Sequence, residues 1–216
     1  MDITWHGHAN YTLKGAGATL VVDPFADIGL KQPKLAADVL LISHDHFDHN
    51  NTEGVSGDPY IVDLPGEYES HGVMIEGILT YHDAKKGADR GANIVFSFTM
   101  DGIHLVHCGD LGHRLDDEVV ERLGNIDILF VPVGGFYTID GKTAVDVVKR
   151  LQPRVTVPMH YLAAGLSGAA AKIGPIDDFL KEAGGTPVNL EKPTWKIKKS
   201  ELPEEESQIV IFLDPA

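Results

Sequence analysis

The stretch Ile42–Asn51, ISHDHFDHNN, puts three histidines and two aspartates into positions 44–49. Imidazole and carboxylate are the side chains that zinc and similar divalent cations accept as ligands. Buried together without a cation, such groups would carry the heavy penalty of unpaired charge in a low-dielectric interior. His44, His46, Asp48 and His49, spaced His-x-His-x-Asp-His, therefore read as a metal-binding cluster rather than a polar surface turn. Ligands this close can converge on two ions at once.

Such a cluster needs a rigid support. His44 follows Asp38–Ser43 (DVLLIS), a near-continuous apolar run of the kind that forms a strand buried on both faces. Further β-type runs lie at Ile3–His6, Tyr11–Lys14, Thr19–Val22, Pro59–Asp63, Val73–His82, Asn93–Met100 and Ile103–Cys108, with a hairpin expected at Asp101-Gly102. The second half alternates. Strands are expected at Ile126–Val133 and Arg154–Met159, and helices at Asp116–Leu123, Thr143–Leu151 and Pro175–Ala183. Late strands at Thr194–Ile197 and Gln208–Leu213 flank an acidic loop, Glu201–Ser207. With no linker or repeat, the 216 residues suit one domain spanning positions 1–216, its sheets layered against helices.

Composition narrows the function. A net charge of −14, from 18 Lys and Arg against 32 Asp and Glu, repels long nucleic acids and anionic membrane surfaces. One cysteine, Cys108, allows no internal disulfide and suits a reducing compartment. The opening MDITWHGHAN has no basic segment leading into an apolar run, so no signal peptide is expected, and no apolar run is long enough to span a bilayer. The expectation is a cytoplasmic soluble protein.

His44, His46, Asp48 and His49 resemble the HxHxDH signature of the metallo-β-lactamase superfamily. That resemblance implies an α/β (α+β) fold, a four-layer αββα sandwich with a two-metal site at one edge. It implies that His44 and His46 bind one ion, that Asp48 and His49 bind the other, and that Asp110, in HCGDLGH, bridges both. His160, in VTVPMHY, would complete the second ion, and Asp23, in TLVVDPF, would support the site from behind. Two histidines compete for the remaining position. His82 ends the Val73–Tyr81 run, well upstream of Asp110 as the family pattern requires. His107 would point away from Asp110 if the strand ran on regularly. His82 is the better match, His107 the alternative, and His104 a hairpin residue.

The resemblance also implies chemistry. Two divalent ions offset by Asp48, Asp110 and a bridging hydroxide leave a residual positive charge inside an acidic protein. Zinc lowers the pKa of its bound water to about 7. The expected reaction is attack of that hydroxide on an ester, lactone or related bond of a small molecule, anionic substrates included, with the ions stabilising the developing oxyanion. Zinc is the expected metal, while manganese and iron suit the same ligands.

From Ile3 to Tyr161 the segments WHGHANYTL, VVDPF, PGEYESHG, PVGGFYTID and VPMHY are similar to a branch that includes L-ascorbate-6-phosphate lactonase and uncharacterised metal-dependent hydrolases. On that likeness His8 and His113 join Asp48 and Asp110 as catalytic candidates, and Tyr137 is a candidate for the pocket wall. Gly134-Gly135 suggests close backbone approach at the pocket floor, Asp140 reads as a helix cap, and Glu67 sits in a PGEYE turn. Arg90, Arg114 and Lys142 are the cations near the motifs and the candidates for holding a substrate anion, although each reads first as a solvated surface charge. Asp110 stands where zinc β-lactamases often have cysteine, and His46 where flavodiiron oxidoreductases have glutamate, so both activities are disfavoured. The helical substrate domain of glyoxalase II-like thioesterases and the basic arm of tRNA-processing nucleases are not evident. Two other readings stay open, a phosphodiesterase or nuclease on the same site and a non-catalytic metal-binding protein; self-association is a further possibility.

Overall fold

A computed structural model describes residues 1–204 and 207–216, so the expected acidic loop Glu201–Ser207 lies partly outside the described residues. Two sheets form the body. The first orders its six strands as Thr194–Lys196, Asp2–Gly7, Asn10–Lys14, Thr19–Val22, Val39–Leu41 and Tyr60–Val62. The second orders eight: Val188–Leu190, Gln208–Phe212, Val155–Met159, Ile128–Pro132, Ile103–His107, Ala92–Met100, Val73–Tyr81 and Gly66–Ser70.

Aromatic side chains fill the space between the sheets. Tyr11 of the first sheet meets Phe130 of the second with ring centroids 4.6 Å apart, and Trp5 meets Phe212 at 6.3 Å. All four are almost fully buried. Three helices, α1 (Asp117–Leu123), α2 (Gly141–Leu151) and α3 (Asp177–Ala183), cover the second sheet, where α2 packs on Ile128–Pro132 and against both other helices. Ala144, Val147 and Leu151 recur along one face of α2 and join the main core. Over the first sheet the cover is thinner, a two-stranded ribbon of Leu35–Ala36 and Val55–Ser56 lying on Val21, Leu40 and Ile42. The sandwich is of the αββα type with mixed sheets and few helices, its outer layer over the first sheet formed by this ribbon.

Local chemistry explains most boundaries. Asp116 and Asp140 accept bonds from Val119 N and Thr143 N, satisfying free amides at the starts of α1 and α2. The second cap sets the start of α2 at Gly141, two residues ahead of the expected Thr143. Strand Val39–Leu41 is shorter than DVLLIS because Ser43 N donates to the Asp23 carboxylate instead of the ladder. PGEYE was expected as a turn and is corrected to the edge strand Gly66–Ser70. Its exposed Glu67 and Glu69 disguise it, as charges on edge strands do.

Asp127 ties the sheet to the C-terminal segments. Its buried carboxylate accepts from His104 N at 2.8 Å, from Arg154 Nη1 at 3.3 Å and from Lys199 Nζ. Burial alone would raise this carboxyl, but the Lys199, His104 and Arg154 bonds outweigh it and hold it below the usual range. A depressed folded-state value gives stabilisation that is complete above the unfolded pKa of about 3.9 and is lost as pH falls through the folded value. Thermal melts of wild type and Asp127→Asn should therefore differ near pH 6 and converge as the pH drops below about 4. A gap unchanged down to pH 3 would show that the charge contributes nothing.

Candidate metal centre

Six strands deliver the cluster. His8, Asp23, His82 and His160 each directly follow a strand, at Gly7, Val22, Tyr81 and Met159. His44 and Asp110 lie three residues beyond Leu41 and His107. Strand ends in a packed sandwich are rigid, which suits groups that must hold fixed positions. The chain then turns sharply: His8, Asp23 and His160 take φ of 54°, 46° and 51°, the left-handed region that few non-glycine residues adopt. Such strain persists only where the surroundings impose it.

The side chains converge on Asp110. Its Oδ2 lies 3.1 Å from Nε2 of both His82 and His160 and 3.9 Å from Nε2 of His44. Its Oδ1 lies 3.3 Å from His49 Nε2. Ligand atoms of His44, His46 and His82 fall within 4.8 Å of one another, as do those of His8, Asp48, His49 and His160, and those of His44, His49 and Asp110. Close backbone contact makes this possible. A Cβ on Gly112 would stand 2.2 Å from the His82 carbonyl carbon, so only glycine lets the loop after Asp110 seat against His82.

A second layer orients the imidazoles. The fully buried Asp23 carboxylate accepts from Ser43 N (2.8 Å), Ser43 Oγ (2.7 Å) and His49 Nδ1 (3.0 Å). His44 Nδ1 donates in turn to Ser43 Oγ at 2.9 Å. Both rings therefore carry their proton on Nδ1 and turn Nε2 towards Asp110. Asn93 fixes Asp110, its Oδ1 accepting from Asp110 N at 2.8 Å while its Nδ2 donates to Cys108 O at 2.9 Å. His8 contacts Asp48 through Nε2 at 3.2 Å. Burial, with His160 adding to it, lowers His8 to about 4, so His8 is neutral at pH 7 and donates.

These atoms fit divalent cations. His44 Nε2, His49 Nε2, His160 Nε2 and Asp110 Oδ1 are buried and have no protein hydrogen-bond partner. Buried polar atoms are rarely left so, and these are nitrogen and oxygen donors aimed at common points. Burial would lower the pKa of His49, yet Asp110 and Asp23 hold it well above the usual range.

The structure brings His8, His44, His46, Asp48, His49, His82, Asp110 and His160 together. His107 is turned away: Nε2 donates to Ala9 O at 3.0 Å and Nδ1 accepts from Gly109 N at 3.2 Å. The catalytic expectation for His113 is corrected. Its Nε2 accepts from Tyr81 N at 3.1 Å and its Nδ1 donates to Arg114 O at 2.7 Å, so backbone uses both ring nitrogens outside the cluster. His104 is likewise engaged by Ser97 and Asn125, as a hairpin residue. Ser43 and Asn93 were not singled out from sequence; a buried asparagine in an apolar strand was the available signal for the second. A cavity of about 280 Å³ opens over the cluster, reached by His46, His82 and Asp110 and walled by Phe47, Arg90 and Tyr137.

A two-sheet αββα sandwich with a His/Asp cluster at its strand ends defines a metallo-β-lactamase-type fold. Residues 2–160 match the beta-lactamase superfamily domain, and the chain belongs to that superfamily, on the branch of the UPF0173 metal-dependent hydrolases. The UPF0173 metal-dependent hydrolase of Nitratidesulfovibrio vulgaris is 30% identical over 196 residues, covering 74% of this chain and 79% of the relative. That of Thermoplasma acidophilum is 28% identical over 188 residues, covering 74% and 83%. A Thermotoga maritima crystal structure of the metallo-beta-lactamase superfamily, whose proposed activity is zinc-dependent hydrolysis, superposes with a TM-score of 0.82 at 39% identity, covering 98% of this chain and 97% of that one.

Proposed function

We propose that this protein is a dinuclear metal-dependent hydrolase of small molecules, cleaving an ester, lactone or related bond. The observation that supports it most is the convergence of unpartnered imidazole nitrogens on Asp110 beneath the cavity. His44, His46 and His82 would hold one ion, Asp48, His49 and His160 the other, with Asp110 shared between them. Such ions supply Lewis acidity and bring the pKa of water down to about 7. Within the same reading, His8 donates to Asp48 and fixes its orientation, while Asp23 and Ser43 hold the tautomers of His49 and His44. Lactones belong to this substrate class on motif likeness. We take positions 1–216 as one cytoplasmic domain; no helix among the described residues is long and apolar enough to cross a membrane.

The test is elemental analysis of zinc-loaded protein followed by a panel of lactone, ester, thioester and phosphodiester substrates. Two ions per chain with turnover of a carboxylic ester or lactone is the expected result. Turnover of the phosphodiester alone would favour the nuclease reading, and two bound ions without turnover a non-catalytic role. His82→Ala should lose one ion and reduce turnover by more than about 100-fold, the upper range for residues that only support a ligand. His107→Gln should lower the melting temperature yet keep both ions. The reverse pattern would assign the ligand to His107.

A further inference from the structure

Four of the chain's five arginines have a carboxylate partner: Arg114 with Asp146, Arg122 with Glu76, Arg150 with Asp117 and Arg154 with Asp127. Arg90 has none within 4.0 Å among the described residues, although acidic side chains outnumber basic ones 32 to 18. It is held by other means. Its Nη2 donates to Phe136 O at 3.1 Å, and its guanidinium carbon stands 5.7 Å from the centre of the Tyr137 ring, a cation–π distance.

The backbone on both sides is fixed with care. The Asp83 carboxylate accepts from the amides of Lys85, Gly87, Asp89 and Arg90 at 2.7, 3.0, 3.0 and 2.8 Å. Asp83 directly follows His82, so one rigid loop carries both His82 and Arg90. Opposite, Phe136 takes φ 62°, a strained value for a bulky residue, and thereby presents its carbonyl to Arg90. The turn before it is pinned to the cluster, because a Cβ on Gly134 would lie 2.3 Å from the His160 carbonyl oxygen. Arg90 is thus a half-buried cation on the cavity wall, with guanidinium donors left over after Phe136.

We propose that Arg90 is the anion subsite of this cavity and that the substrate is a small molecule carrying a carboxylate or phosphate beside its reacting bond. Guanidinium matches the fork of either oxyanion. Phe47 and Tyr137 offer an aromatic surface for the apolar part, and the reacting bond then lies over Asp110 and His82. A cavity of about 280 Å³ holds a small molecule. This inference rests on the hydrolase reading for its reaction but not for its binding step.

Calorimetric titration of metal-free and zinc-loaded protein with phenylacetate, phenyl phosphate and the neutral isostere phenylacetamide tests it. At least one anion should bind, shift the Arg90 Nε–Hε resonance, and bind more tightly than the amide. Arg90→Gln should weaken that anion about 10- to 100-fold, the range of a charge-assisted bond, with Arg90→Lys in between and melting temperatures of both variants near wild type. Equal binding of anion and amide, no anion binding to either form, or an affinity within about twofold of wild type in Arg90→Gln would each overturn the proposal. On zinc-loaded enzyme, Arg90→Gln should raise KM for mono-4-nitrophenyl succinate by a larger factor than KM for 4-nitrophenyl acetate. Absence of turnover on both esters with the binding difference intact would remove the hydrolase reading and leave the subsite standing.

Discussion

Asp110→Asn is expected to cut bound metal from two ions per chain to one or none, and turnover by on the order of 10³-fold or more, the equivalent of several kcal/mol of lost Lewis-acid stabilisation. Asparagine keeps the shape of the side chain, so the change is one of charge. Burial alone would raise the Asp110 carboxyl, yet His160 and His49 hold it well below the usual carboxylate range. It is therefore an anion in the folded protein, and the only buried carboxylate within 3.3 Å of three imidazoles, those of His49, His82 and His160, among the described residues. Without it, two divalent cations would be balanced by Asp48 alone. The amide would instead donate to one of those nitrogens and hold the rings without an ion. Metal content after dialysis, turnover on the best ester of the panel and a melt of the metal-free protein are measured together. Two retained ions with turnover within about tenfold of wild type, a loss below 1.4 kcal/mol, would sink the assignment of Asp110 as the shared ligand.

How much of this was legible from the chain depends on how local each signal is. His44, His46, Asp48 and His49 declare themselves because their chemistry is concentrated in one short stretch after a buried strand. Asp110 and His160 are single residues, visible through the resemblance of HCGDLGH and VPMHY to family motifs, each beyond an apolar run that ends at the sheet edge. Strand alternation suggested that His107 points away, but the strand stops at His107 itself, and it is the left-handed turn at Gly109 that separates the two. His113 was misjudged for the same reason: the seating of Gly112 on His82 carries the following ring towards backbone acceptors and donors. Asn93 and Asp83 act through bonds to residues that only tertiary structure brings near, or through the closing of a loop. Nothing in their immediate neighbours announces that. Arg90 looked like surface charge because an unpaired arginine is recognisable only once every other partner is known.

The same distinction between carrying a group and orienting it makes Asp23 the most informative position away from the cavity. Asp23→Ala should destabilise the protein by about 3–5 kcal/mol, the range for breaking a buried charged pair, which at about 2–4 °C per kcal/mol is a drop of roughly 6–20 °C in melting temperature. The side chain is fully buried and is the acceptor for three donors, Ser43 N, Ser43 Oγ and His49 Nδ1. Each donor left unpaired costs about 1–3 kcal/mol, and alanine also tolerates the φ of 46° less well than aspartate. Asp23→Asn separates fold from function, since asparagine accepts that φ and keeps one carbonyl acceptor. It should melt closer to wild type while its zinc affinity falls about 10- to 100-fold, because His49 and, through Ser43, His44 lose the bond that sets their tautomer and angle. Competition with a chromogenic chelator measures that affinity without any substrate. If Asp23→Asn melted low but bound both ions as tightly as wild type, Asp23 would be a packing residue, and the orientation of the two histidines would have to come from the strand ends alone.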